Sequence, residues 1–149
     1  MAEIKDKSIG VILFNKFPRS LKYLILKHRK GHWSFAKGHM ESGETPFETA
    51  KRELYEEAGI TQIEFVSKKI LVKESYNFVN KNKVKVCKSV SYFIAGSKTK
   101  TVKIDKQEII SYKWCTVKAA DKIITFSESK KLLKKADRIV LKYLSDKKF

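Results

Sequence analysis

Arginine, proline, glycine, cysteine and acidic residues are all scarce in this sequence. The 149 residues include two prolines and six glycines. No repeat, low-complexity tract or linker interrupts the chain, so one domain, residues 1–149, with a sizeable core is expected. Cys87 and Cys115 stand alone, which excludes a disulfide framework and the paired thiols of a zinc site. Both read as ordinary strand residues of a protein in a reducing cytoplasm. The apolar run Ile9 to Phe14 is far too short to span a bilayer and follows acidic residues, so neither a membrane span nor a signal peptide is expected. Against 16 acidic residues stand 33 basic ones, a net charge of +17. Such a field attracts phosphates. Yet Arg19, Arg29, Arg52 and Arg138 are the only arginines, and arginine supplies the bidentate contacts that read base edges. The lysines are scattered along the chain. Sequence-specific nucleic-acid binding is therefore not expected, while a small polyanionic substrate still benefits from the field.

What the chain does have is concentrated between Gly38 and Ile60, in GHMESGETPFETAKRELYEEAGI. Thr45 can cap a helix, Pro46 suits its first position, and Glu48 closes a capping box. Gly59 is a natural stop. The pattern predicts a helix from Pro46 to Ala58 with two faces. Phe47, Ala50, Leu54 and Ala58 form an apolar stripe. Glu53, Glu56 and Glu57 share a second face, with Glu57 taken to point out of the core. Like charges three and four apart repel by a few tenths of a kcal/mol, roughly, per pair. A solvated acidic face is the plain reading, but a positive group among the carboxylates relieves the repulsion. A hard divalent cation such as Mg²⁺ suits oxygen ligands, and Arg52 can orient one of the glutamates.

Gly38, Glu44, Arg52, Glu53, Leu54, Glu56, Glu57, Gly59 and Ile60 together fit G-x₅-E-x₇-R-E-U-x-E-E-x-G-U, where U is aliphatic. This segment resembles the Nudix box, complete at every defined position. The resemblance implies a Nudix hydrolase, cleaving a nucleoside diphosphate linked to another group with Mg²⁺ or Mn²⁺. It implies that the Gly38 carbonyl joins Glu53, Glu56 and Glu57 in holding metal. It also implies that one glutamate, here assigned as Glu53, is the base, and that Glu44 and Arg52 support the loop and orient the carboxylates. A further metal-binding glutamate is expected near the last strand, at Glu108. Intact glutamates speak against the alternative of a non-catalytic RNA-binding Nudix module, whose binding would survive EDTA.

Elsewhere, Ser8–Asn15 and Leu21–Lys27 read as a strand hairpin around Pro18. Two strand pieces follow between Ile63 and Tyr76, then a polar loop from Asn77 to Lys83. Val84–Ala95 and Ile109–Thr116 are strands, with a short strand at Val102–Ile104 between them. One or two helical turns are expected at Ala119–Ile124. Ser127 can cap a long amphipathic helix carrying Leu132, Leu133, Ala136, Ile139, Val140, Tyr143 and Leu144 on one face. Packing against the sheet is the expected use of that face, in preference to a membrane surface. Mixed strands with such helices suggest an α/β/α sandwich with a mixed sheet between helices, which the resemblance also implies.

The flanks narrow the resemblance. HWSFAKGHMESGE, from His32 to Glu44, is similar to the approach to the box in asymmetrical diadenosine tetraphosphate hydrolases, except that Ala36 stands where proline is usual. The similarity implies asymmetrical cleavage to ATP and AMP; a monomer is expected. A four-phosphate chain needs several cations, for which Lys37, Lys81 and Lys83 are the candidates. His32 or His39 can donate a hydrogen bond. Adenine needs a stacking surface, assigned to Tyr76, Phe78 and Phe126, with Trp33 and Trp114 left to packing. The rival activities are pyrophosphohydrolysis of oxidised nucleoside triphosphates and of RNA 5′ ends.

Overall fold

The structure is a computed structural model that describes residues 3–147. Eight strands form one sheet. β1 (Glu3–Phe17) pairs antiparallel with β2 (Ser20–His28), closing the expected hairpin, with Phe14 opposite Tyr23. Two short strands, β3 (Trp33–Ser34) and β4 (Ala36–Gly38), follow, and β4 returns to pair with β1. Helix α1 runs Pro46–Ala58, with both ends where the sequence predicts them. β5 (Ile63–Phe65) and β6 (Val72–Val79) pair with the long β7 (Lys85–Ser97). β7 itself lies parallel to β1, which makes the sheet mixed. β8 (Ile109–Cys115) pairs with β2. Two helices complete the described chain, α2 (Val117–Ile123) and α3 (Ser127–Asp146).

Strand alternation explains why both sheet faces are covered. Successive side chains point to opposite faces. On β1 and β2, Ile12, Phe14, Tyr23 and Ile25 pack beneath α2 and α3, with Leu132, Leu133, Ala136 and Val140. Val11, Leu13, Leu24 and Leu26 face the other way, onto Ala50, Leu54 and Ala58 of α1. The result is the expected sandwich of a mixed sheet between helices. One buried polar network ties the sheet to α3: Glu74 accepts from the Tyr92 hydroxyl at 3.1 Å and from the Ser129 hydroxyl at 2.8 Å.

Four local expectations need correction. Asn77, Phe78 and Val79 continue β6 by pairing with β7, so the loop begins only at Asn80. Val102–Ile104 forms no strand; it runs beside the end of α1, with the Lys103 N–H donating to the Ala58 carbonyl at 2.9 Å. Ser127 is the first residue of α3 rather than its cap, and Phe126 at the cap position makes no side-chain cap bond. Finally, Glu57 does not face out of the core, being only 3% exposed.

Candidate functional site

The box loop and helix are built around Arg52. The Thr45 hydroxyl accepts from the Glu48 N–H while the Glu48 carboxylate accepts from the Thr45 N–H, so α1 starts on the predicted capping box. At its other end Gly59 takes the left-handed conformation, φ 69°. Between these ends the guanidinium of Arg52 makes two bonds to Glu44, Nε at 2.6 Å and Nη2 at 3.0 Å. It also donates to Glu53 at 2.8 Å, to Glu56 at 3.1 Å and to the His39 carbonyl at 2.8 Å. Arg52 is thus the positive group that makes the crowded glutamate face tolerable. Glu44 in turn accepts from the Thr49 hydroxyl and the Glu41 N–H. With the Arg52 bonds foremost, these donors hold the Glu44 carboxyl down to about 2.

Glu53 and Glu57 have a different character. Both are buried, at 7% and 3% exposure, while Glu56 is open to solvent. Burial raises the Glu53 carboxyl despite its Arg52 bond. Burial also pushes Glu57 up to about 8, although the Lys37 N–H donates to it at 3.0 Å. Gly38 explains the loop's first residue. A Cβ there would meet the Glu53 carboxylate at 2.2 Å, so any larger residue would have to displace that carboxylate.

These groups form one wall of a cavity of about 620 Å³, a size typical of small-molecule sites. Glu108, on an exposed turn before β8, joins that wall, and its charge raises both Glu53 and Glu57 further. The same cavity is also lined by cationic residues, Lys37, Arg29, Lys30 and Lys88. Lys37 is pushed down by burial and by Lys88 and Lys30. His39 lines the rim and bonds Asp6 at 2.6 Å. Asp6 also holds Lys88, whose ammonium donates to it at 3.0 Å and to the Ser8 hydroxyl at 2.9 Å.

At one end of the cavity lies a row of rings. His28 and His32 stack at 4.6 Å, His32 is 5.6 Å from Phe126, Phe126 stacks on Tyr76 at 5.9 Å and 22°, and Tyr76 is 6.3 Å from Phe78. Phe126 and Phe78 are each 44% exposed. Nε2 of His32 is buried without a hydrogen-bond partner. Burial pushes His28 down to about 3 and His32 to about 4, so both rings are neutral at physiological pH.

The fold therefore brings His32, Lys37, Gly38, His39, Arg52, Glu53, Glu57 and Glu108 to one cavity. Glu44 and Glu56 reach it through Arg52, and Tyr76, Phe78 and Phe126 through His32. Lys81 and Lys83 are not brought there; they lie exposed at the turn between β6 and β7. Sequence reasoning missed Lys88, Asp6 and His28. Lys88 and Asp6 gained no signal from their spacing, because the parallel pairing of β1 with β7 sets them side by side. His28 stands in KHRKGH, four residues before His32, where a paired-imidazole reading was available.

Among the described residues no three carboxylate, imidazole or thiol groups already surround a common point. The donors nevertheless suit a hard cation: two buried carboxylates, a third lining the same cavity, and a glycine backbone packed against one of them.

The NUDIX domain family matches residues 5–136 of this chain. The asymmetrical bis(5′-nucleosyl)-tetraphosphatase of Caenorhabditis elegans is 30% identical over 131 residues, covering 87% of this chain and 92% of that protein. The enzyme of the same name from Rattus norvegicus is 30% identical over 147 residues, covering 90% and 95%. The crystal structure of a C. elegans Ap4A hydrolase binary complex superposes with a TM-score of 0.77 at 29% identity, covering 91% of this chain and 98% of that one. Mixed sheet, box helix and carboxylate wall agree with this kinship, and the chain belongs to the Nudix hydrolases, enzymes that act on nucleoside polyphosphates.

Proposed function

We propose that this protein cleaves diadenosine tetraphosphate asymmetrically, giving ATP and AMP, with residues 1–149 working as one catalytic domain in the cytoplasm. The observation that carries this reading is that one cavity is lined by both buried carboxylates and lysines. A chain of four phosphates can lie between them, its charge met by Lys37 and Lys88 at fixed positions. Glu53, Glu56, Glu57, Glu108 and the Gly38 carbonyl would hold Mg²⁺ or Mn²⁺. When bound, such a cation neutralises phosphate charge and acidifies the attacking water.

The remaining roles belong to the chain itself. Glu53, desolvated and held by Arg52, accepts the proton of the water. Arg52 and Glu44 fix the carboxylates so that little reorganisation accompanies the reaction. His32, stacked on His28 and 5.6 Å from Phe126, links the cavity to the exposed aromatic rings. Tyr76 and Phe126 take an adenine; two stacking steps of about 3.4 Å each need slightly more than the 5.9 Å now between them, so the rings part a little. Attack at the phosphorus bearing the far adenosine breaks one P–O–P link; the bridging oxygen leaves with ATP, and the water oxygen remains on AMP. Lys81 and Lys83, on the β6–β7 turn, can meet the distal phosphates only if that turn folds towards the cavity.

The test is a panel of dinucleoside polyphosphates, nucleoside triphosphates, oxidised guanine triphosphate and 5′-triphosphorylated RNA, incubated with Mg²⁺ and resolved by chromatography. Diadenosine tetraphosphate should have the highest kcat/KM, and EDTA should abolish turnover. A value roughly tenfold higher for an oxidised triphosphate, about 1.4 kcal/mol in barrier, overturns the substrate assignment.

A further inference from the structure

The turn that carries Glu108 has no burial to hold it. Lys106, Gln107 and Glu108 are all exposed, and the charges of Glu53 and Glu108 oppose each other. It is nevertheless fastened from two sides. From α1, the Glu57 carbonyl accepts from the Asp105 N–H at 3.3 Å and the Ala58 carbonyl from the Lys103 N–H at 2.9 Å. From the end of β2, Arg29 binds three successive carbonyls. Its backbone N–H donates to Glu108 at 2.7 Å, its Nε to Gln107 at 2.9 Å, and its Nη2 to Lys106. Asp105 closes the turn from within, its carboxylate accepting from the Gln107 N–H at 3.0 Å.

The strand register adds a further constraint. Lys27 pairs with Ser111 and His28 with Ile109, so Ile110 is an extra residue on β8. A bulge of this kind turns the chain and re-aims the side chains beside it, here immediately after Glu108.

We propose that Arg29 is a positioning residue for Glu108: its planar fork spans two carbonyls of the 106–108 turn and holds Glu108 in the cavity it shares with Glu53 and Glu57, against the repulsion of Glu53. The inference rests on the reading that Glu108 shares a divalent cation with those glutamates. In this role Arg29 acts through the turn, with its Nε and Nη2 donating to the Gln107 and Lys106 carbonyls. Lysine replaces it only in part, because an ammonium lacks a rigid fork matched to two acceptors.

The experiment is calorimetric titration of the substrate-free protein with Mn²⁺, in the wild type, Glu108→Gln, Arg29→Ala, Arg29→Lys and the Glu108→Gln/Arg29→Ala double variant, with thermal midpoints to show that each is folded. Arg29→Ala should weaken Mn²⁺ binding about tenfold or more, the loss expected for a group orienting a ligand. Arg29→Lys should recover only part of that. The double variant should match Glu108→Gln within about twofold, because the arginine acts through the glutamate. Unchanged Mn²⁺ affinity in Glu108→Gln overturns the shared metal reading and this inference with it. Weakened binding in Glu108→Gln but not in Arg29→Ala overturns the role of Arg29 alone. So does a full additional loss in the double variant, which would mean that Arg29 acts on something other than Glu108.

Discussion

Glu57 and His28 are both titratable groups held neutral by burial, and they lead to different measurements. Glu57 is pushed up to about 8, so glutamine, which has the shape of the protonated acid, should leave the thermal midpoint nearly unchanged. The same substitution removes a candidate cation ligand, and kcat should fall by a factor of about a hundred or more. Full activity in Glu57→Gln with normal metal dependence rules out the ligand role. His28 shifts in the opposite sense, down to about 3. Below about 6.5 the unfolded chain binds a proton that the folded protein refuses, so stability is lost as pH falls through the window from 6.5 towards 3. Between pH 6.5 and 5.0 this amounts to roughly 1.5 kcal/mol. Urea unfolding should show that acid loss in the wild type and a correspondingly smaller one in His28→Gln; equal losses would mean that the imidazole is protonated in the fold. The Glu74 network makes a third case. Tyr92→Phe removes one of two donors to a buried carboxylate and should cost roughly 1–3 kcal/mol in the same assay.

At the scale of elements, α1 was legible to the residue, because every signal in it is local. The capping box, the proline and the terminal glycine act within one turn of the chain. Its apolar stripe was equally plain, and Leu54 is fully buried. Leu54→Ala should therefore cost roughly 2–5 kcal/mol, read from the unfolding midpoint; an unchanged midpoint would show the helix facing the other way. Elements settled by distant partners were not legible. Asn77–Val79 look like loop on composition, and pairing with Lys85–Cys87 makes them strand. Val102–Ile104 look like strand, and bonds to the end of α1 use up the backbone instead. The carboxylate face was recognised, but its burial was not, since helical spacing cannot reveal that β4 lies across it. Lys88 escaped for the same reason, as did Arg29, whose partners lie 77 and 78 residues away.

Taken whole, the molecule sets a charge of +17 around a cavity that mixes both signs. A field of that sign should speed the arrival of a polyphosphate and be screened by salt, over about 8 Å at physiological ionic strength. kcat/KM for diadenosine tetraphosphate should therefore fall as potassium chloride rises from 50 to 300 mM, with kcat nearly constant; a flat kcat/KM would mean that the surface lysines play no part. The central claim concerns which phosphorus the cavity presents to water. It is tested most directly by hydrolysis of diadenosine tetraphosphate in ¹⁸O-labelled water with Mg²⁺, followed by mass spectrometry of the products. The account predicts ATP without label and AMP carrying one ¹⁸O. Two molecules of ADP, or label in ATP instead of AMP, would contradict it.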